Sequence, residues 1–259
     1  MKLLLISLSI LLLIPNFLHV KLEPTPVYDH IEKYDTSLGY ITSIKQLIHV
    51  ADSIALARKI DKDSLKYAIT VATLIRNRFY HGFSQYPLNE NWIAAVGEYC
   101  FGYGLASIVK PDDILKYHYG GCSQQTIVLM EVMKNKNISY RSVGFPHHYA
   151  SELQINGKWY FFDPNMEPSI SDSQRLESNW NGYPDSLKKY YDRTHFSDLD
   201  WKFGKNLRVT RGNINSKVAP NAALFQLVTH YLSRTLWIIP LVIALKIRKS
   251  AKAGRSLVQ

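Results

Sequence analysis

The 259-residue chain has only two cysteines, Cys100 and Cys122. That excludes a disulfide-rich scaffold and leaves room for one bridge at most. Two separated cysteines and scattered histidines do not make a zinc cluster, so no metal and no cofactor are expected. The chain has no internal repeat, no phosphate-binding glycine loop and no low-complexity block. Acidic residues are missing from both ends, since all lie between Glu23 and Asp200. Lys2 and the six basic residues from Arg234 onward therefore carry +7 of the formal +10 charge, leaving +3 in the centre. A centre so nearly balanced carries no nucleic-acid footprint, and nucleic acid is not an expected partner.

The ends carry long apolar runs instead. Residues 1–20 place one lysine ahead of an apolar stretch, as a signal anchor or a signal peptide does. A second run, 222–247, has about the length a bilayer crossing needs. His230 and Arg234 interrupt it, and Arg234 is expected to snorkel toward an interface beside Tyr231. The tail, 248–259, is basic and expected to be cytoplasmic by the positive-inside rule. Lys2 puts the N-terminus on the same side, so the domain between the runs is expected outside the cytoplasm. Residues 21–43, with Pro24 and Pro26, read as a linker, and 44–215 as one compact domain.

Within that domain, Ile44 to Ile60 has helical periodicity. Asp63-Ser64 caps a second helix running to about Tyr80, with Lys66, Arg76 and Arg78 on its solvated side. Asn91 to Gly104 reads as a helix ending at glycines, with Cys100 as a buried thiol. Beyond Pro164 the chain is polar and aromatic, with Trp180, Tyr183, Tyr190, Tyr191, His195 and Trp201 as packing or cleft-wall residues. Asp185 to Tyr191 reads as a short helix.

The chemistry concentrates in 120–164, GGCSQQTIVLMEVMKNKNISYRSVGFPHHYASELQINGKWYFFDP. Gly120-Gly121 is a flexible approach. From Cys122 onward, Ile127, Val128, Leu129, Met130, Val132 and Met133 form a broad helical apolar stripe. Cys122 thus falls at a helix N-terminus, where unpaired N–H groups favour thiolate. Two strands follow, joined by Asn156-Gly157, a strong hairpin signal. With a two-residue turn, Ile155 faces Lys158 and Asp163 faces Ala150. Residues two apart share a face, so Asp163 lies diagonally opposite His148, and His147 points away. Cys122, His148 and Asp163 therefore form a candidate triad of nucleophile, base and orienting carboxylate. A Cys100–Cys122 disulfide is the rival fate of the sulfur. Trp92, Tyr119 and Gln124 are candidates for an oxyanion donor or cleft residue, and Gln124 and Gln125 are read as helix-surface or pocket residues.

The run Gly121-Cys122, His148-x-x-x-Glu152 and Gly157-Lys-Trp-Tyr-x-x-Asp163-Pro164 resembles the core of the transglutaminase-like superfamily of papain-type cysteine enzymes. Ala150 stands where that pattern commonly has an aromatic. The resemblance covers about 45 of the 259 residues. It implies an α+β, papain-like fold in which the Cys opens a helix packed on a small antiparallel sheet. It also implies Cys122 as nucleophile, His148 as base and Asp163 as orienter. The expected reaction is acyl transfer or hydrolysis at an amide of a peptide, protein or related substrate. Two other classes compete: a non-catalytic peptide- or glycan-binding module on the same fold, and a membrane-assembly or export accessory protein.

Overall fold

In a computed structural model the chain is an α+β protein. The structure describes residues 1–30, 32–166, 169–191 and 198–255, without the side chains of 248–255. The elements run α1 (Lys2–Leu13), α2 (Ile44–Ala57), α3 (Leu65–Arg78), α4 (Leu88–Phe101), α5 (Pro111–Ile114) and α6 (Cys122–Asn135). Then come β1 (Tyr140–Gly144), β2 (Tyr149–Ile155), β3 (Lys158–Phe162), α7 (Glu177–Trp180), α8 (Asp185–Lys188) and α9 (Leu199–Phe203). The chain closes with β4 (Thr210–Arg211), α10 (Pro220–Thr235) and α11 (Ile238–Arg255). Two compact units result. The terminal unit gathers Met1–Thr25, Gln85–Ser107 and Pro220–Gln259; the central unit comprises Pro26–Ser84 and Ile108–Ala219.

In the central unit, serines start the first two helices. Ser43 Oγ accepts the Gln46 N–H, and Ser64 Oγ accepts the Tyr67 N–H, each satisfying an amide that the helix leaves free. Ile44, Leu47, Ala51 and Ala55 of α2 and Ala68, Val71, Ala72 and Ile75 of α3 are buried at helical spacing. Arg78 departs from the solvated role expected of it. It is fully buried, and its guanidinium donates to the carbonyls of Ile41, Leu115 and Tyr117 at 2.8–3.0 Å. Five fixed N–H donors suit such a junction, because they satisfy several loop carbonyls at once. One of those loops leads directly into Gly120 and Cys122.

The sheet is antiparallel, in the order β3-β2-β1-β4. Asn156 and Gly157 both adopt positive φ, at 51° and 74°, as a two-residue hairpin turn requires. The register follows: Ile155 faces Lys158 and Ser151 faces Phe162. α6 packs against β1 and β2. One sheet face, carrying Val143, Ala150 and Phe161, is covered by Met166, Trp180, Leu187, Tyr191, Leu199 and Phe203. The aromatic stretch beyond Pro164 is thus largely core, with Tyr183 and Trp201 exposed. His195 lies outside the described residues.

Glu152 explains why β4 stays on the sheet edge. Its fully buried carboxylate accepts from Arg141 Nε at 2.5 Å and from Arg211 Nε and Nη2 at 2.9 and 3.1 Å. Arg141 also lies 4.2 Å over the Trp159 ring. The Glu of the sequence motif therefore holds β1, β2 and β4 together, and the Trp adds β3.

In the terminal unit, α4 is kinked at Asn91, and Gly102 ends it with a φ of 73°. Pro220–Ile247 is long and apolar enough to cross a membrane, whereas the apolar helix Lys2–Phe17 is shorter.

Candidate active site

Cys122 opens α6 as its first residue, after Gly121 in extended conformation. The sulfur is a free thiol and half-buried. Cys100 is free as well, so the two cysteines form no disulfide. It is exposed on α4 rather than buried, because its helix belongs to the terminal unit.

His148 lies just ahead of β2 and is buried, as is Asp163 just beyond β3. The His148 Nε2 and Asp163 Oδ2 atoms are 2.7 Å apart. The Cys122 thiol neighbours the same imidazole and helps to raise its pKa. With Nε2 taken by the carboxylate, Nδ1 is the nitrogen left for sulfur. Thr126, one turn beyond Cys122, donates its hydroxyl to the Tyr149 carbonyl at 3.2 Å. That bond ties the thiol-bearing helix to the residue beside His148. His147 is exposed and stacks on Trp201, with ring centroids 4.0 Å apart and planes 3° from parallel.

The carboxylate is fully satisfied. Oδ1 accepts the N–H groups of Asn165 and Met166 at 3.2 and 3.1 Å, while Oδ2 also accepts the Tyr191 hydroxyl at 2.8 Å. Burial acts to raise the Asp163 pKa, but His148, the Met166 N–H and the Tyr191 hydroxyl outweigh it and hold the group below the ordinary range. For His148, burial alone would lower the pKa. The Asp163 charge and hydrogen bond, helped by the Cys122 sulfur, raise it to about 9. The arrangement therefore favours imidazolium at neutral pH. Phe203 and Phe145 flank the ring, with centroids at 4.9 and 6.0 Å.

The three cleft candidates are engaged otherwise. Trp92 lies in the terminal unit, where its indole N–H donates to the Ser233 carbonyl at 2.9 Å. Tyr119 is buried in an aromatic cluster, its ring 5.5 Å from Tyr80 and 5.6 Å from Tyr117. Gln124 is buried rather than a surface or pocket residue, and it serves as a clamp. Its Oε1 accepts the N–H groups of Gly121 and Ser84 at 3.1 and 2.9 Å, and its Nε2 donates to the carbonyls of Ser84 and Ile108 at 2.8 and 2.9 Å. Gln125, also buried, donates to the Gly120 carbonyl at 2.8 Å. The two glutamines hold the Gly-Gly approach from behind. The donor remaining at the sulfur is the Cys122 backbone N–H, one of the amides a helix start leaves without an intrahelical partner.

Two further residues join the site. Tyr191 supports Asp163, and His81 neighbours the Asn165 side chain. His81 is exposed as a residue, yet its imidazole is crowded by protein. That desolvation, with the charges of Lys202 and His148, lowers its pKa. Gly121 is required by space: a Cβ there would come within 2.5 Å of the Phe83 ring. Among the described residues no group of three or more His, Cys, Asp or Glu side chains is placed to hold a metal ion. Compared with known proteins, the chain matches no family model, no curated protein and no solved structure.

Proposed function

We propose that the chain is a membrane-anchored cysteine enzyme of the transglutaminase-like, papain-like class, acting on an amide of a peptide or protein. The observation that carries this reading is one buried imidazole held by a fully satisfied carboxylate and neighboured by a thiol at a helix start. A structural cysteine needs neither partner.

The Cys122 thiolate attacks the amide carbonyl, and the Cys122 N–H faces the developing oxyanion. His148, as imidazolium, delivers its proton to the departing nitrogen as the C–N bond breaks, leaving a thioester. An incoming amine or water then gives a proton to neutral His148 and displaces the sulfur. Transfer and hydrolysis differ only in that acceptor. Asp163, steadied by Tyr191, fixes the ring so that Nδ1 faces sulfur in both halves of the cycle. The apolar run Pro220–Ile247 supports anchoring, and the charge asymmetry supports an extracytoplasmic catalytic unit with cytoplasmic termini.

The test is labelling of the full chain in membranes with an electrophilic amide probe, followed by mass spectrometry of the modified residue. Modification at Cys122 that disappears in Cys122→Ala, with unchanged thermal melting, is the expected result. Equal labelling of the variant, or modification confined to Cys100, refutes the reading.

A further inference from the structure

The terminal unit is built inside out. It holds about a third of the chain, yet 24 of the 32 large hydrophobic residues exposed among the described residues belong to it. Its buried positions are mostly polar or small: Ser9, Asn91, Gln226, Thr229 and Ser233, with Ala94, Ala95, Ala106 and Ala244; Tyr86 and Leu88 are the large apolar exceptions. A water-soluble unit puts its large apolar side chains inside and its polar ones outside. Apolar surface turned outward around a small, hydrogen-bonded interior is the distribution a bilayer selects.

The polar interior is a connected network. Asn91 Nδ2 donates to Thr229 Oγ1 at 3.0 Å, and Ser233 Oγ donates to Asn91 Oδ1 at 3.2 Å. Ser233 Oγ also accepts the Ile93 N–H, and Gln226 Nε2 donates to the Ser107 carbonyl at 2.6 Å. Ser9 Oγ donates to the Trp237 carbonyl at 2.7 Å. All but the last of these bonds fasten α4 and its following loop to α10; the last ties α1 to the turn ahead of α11. The aromatic residues after the kink, Tyr99, Phe101 and Tyr103, are 70%, 71% and 91% exposed. They sit at the end of α4 and on the glycine turn beyond it, where Gly102 and Gly104 take positive φ. Rings of this kind concentrate at membrane interfaces, and a protein in water has no reason to present three together. Arg234 is the basic residue midway along the span, and its long stem lets the charge reach headgroups.

From this distribution we infer that the segment Gln85–Ser107 is itself a lipid-embedded element, an insertion of the central domain that joins Pro220–Ile247 in the bilayer and presents Tyr99, Phe101 and Tyr103 to the acyl chain and headgroup boundary. The anchor is then a polar-cored helical assembly rather than a terminal tail. The base of the insertion matters to the site. Ser84 and Ile108, its flanking residues, are both gripped by Gln124, two residues beyond Cys122.

The inference rests on the membrane reading of Pro220–Ile247, and a native thiol tests the two separately. In Cys122→Ala, Cys100 carries an environment-sensitive dye on the full chain in phosphatidylcholine vesicles. A second protein, Cys100→Ser with Cys122→Ala and Leu227→Cys, reports from α10. Dye at Cys100 that is quenched at least fivefold more by lipid-borne nitroxide than by aqueous iodide supports the insertion when residue 227 reads the same, and overturns the shared assembly when residue 227 is quenched by iodide. Iodide quenching at Cys100 with nitroxide quenching at residue 227 overturns the insertion and leaves the span. Iodide quenching at both overturns both.

Discussion

Replacing Asp163 by asparagine removes the charge that holds His148 as imidazolium while leaving the shape of the site. The amide oxygen of Asn can still accept the Asn165 and Met166 N–H groups that now meet Oδ1. The amide nitrogen would replace Oδ2, which accepts from Tyr191 and pairs with His148. Burial of the ring would remain, and burial opposes the charged form. In the native protein the imidazole stands at about 9 against an ordinary 6.5. At ~1.4 kcal/mol per pKa unit, that displacement is roughly 3 kcal/mol in favour of imidazolium.

The sign follows from the direction of the shift. A raised His pKa gives stabilisation that is complete below about 6.5 and is lost as pH rises through about 9. His148 therefore stays imidazolium beside Cys122 across the neutral range in the native protein. In Asp163→Asn the ring loses that charge in the same range. The assay is the rate of iodoacetamide alkylation of the Cys122 peptide, followed by mass spectrometry from pH 5 to 10. The variant should react up to roughly 100-fold more slowly between about pH 7 and 8, the factor that ~3 kcal/mol supplies, and approach the native rate above about pH 9, where the native ring also loses its proton. Superimposable profiles between about pH 7 and 8 would mean that the carboxylate does not govern the ring, and the triad argument would fail.

Gln124→Leu should cost stability rather than chemistry. It strands two buried N–H groups and two carbonyls, a loss of roughly 4 kcal/mol or more at about 1–3 kcal/mol per unsatisfied group, read by denaturant unfolding. Lost alkylation with unchanged stability would instead make Gln124 an oxyanion donor. Gly121→Ala should slow alkylation about tenfold by displacing the Phe83 ring, a cost of ~1.4 kcal/mol within the usual overpacking range. Phe83→Ala in the same chain should restore the rate, and failure to do so would place the damage in the backbone. Glu152→Gln should destabilise by roughly 3–5 kcal/mol, since two arginines lose their buried carboxylate; an unchanged melting temperature would refute its stapling role.

Local order was legible in the sequence, and long-range order was not. The period-two pattern and Asn156-Gly157 set the hairpin register, and that register alone brings Asp163 to His148 rather than to His147. Ser64 announced its helix by cap chemistry, whereas Ser43, read as the end of a linker, caps α2 in the same way. Arg78 looked like one more base on a solvated face because its three carbonyl partners lie about 37 residues away, in chain that periodicity does not connect to it. Gln124 looked like a surface or oxyanion residue for the same reason: Ser84 is 40 residues distant. Tyr191 reaches Asp163 from the end of a stretch read as a short helix, and that local pattern says nothing of a partner 28 residues away. Cys100 reads as buried when apolar neighbours are taken to mean a water-excluded core; its helix belongs to the unit whose apolar side faces out.

The placement of the sulfur depends more on loops than on the sheet. His148 and Asp163 are positioned by strand pairing, which fixes them within one hairpin. Cys122 comes from a helix that the hairpin does not define, and three polar junctions supply what strand pairing cannot. Arg78 fixes the loop that feeds Gly120. Gln124 and Gln125 fix Gly121 and Gly120 from inside the helix. Thr126 then joins that helix to Tyr149, one residue from the imidazole. Each junction satisfies backbone groups that would otherwise be buried without partners, so moving the thiol away from the ring breaks several hydrogen bonds together. A cysteine kept only for its bulk would tolerate loss of any one junction. A nucleophile would not, because a misplacement of about 1 Å can cost on the order of a hundredfold in rate.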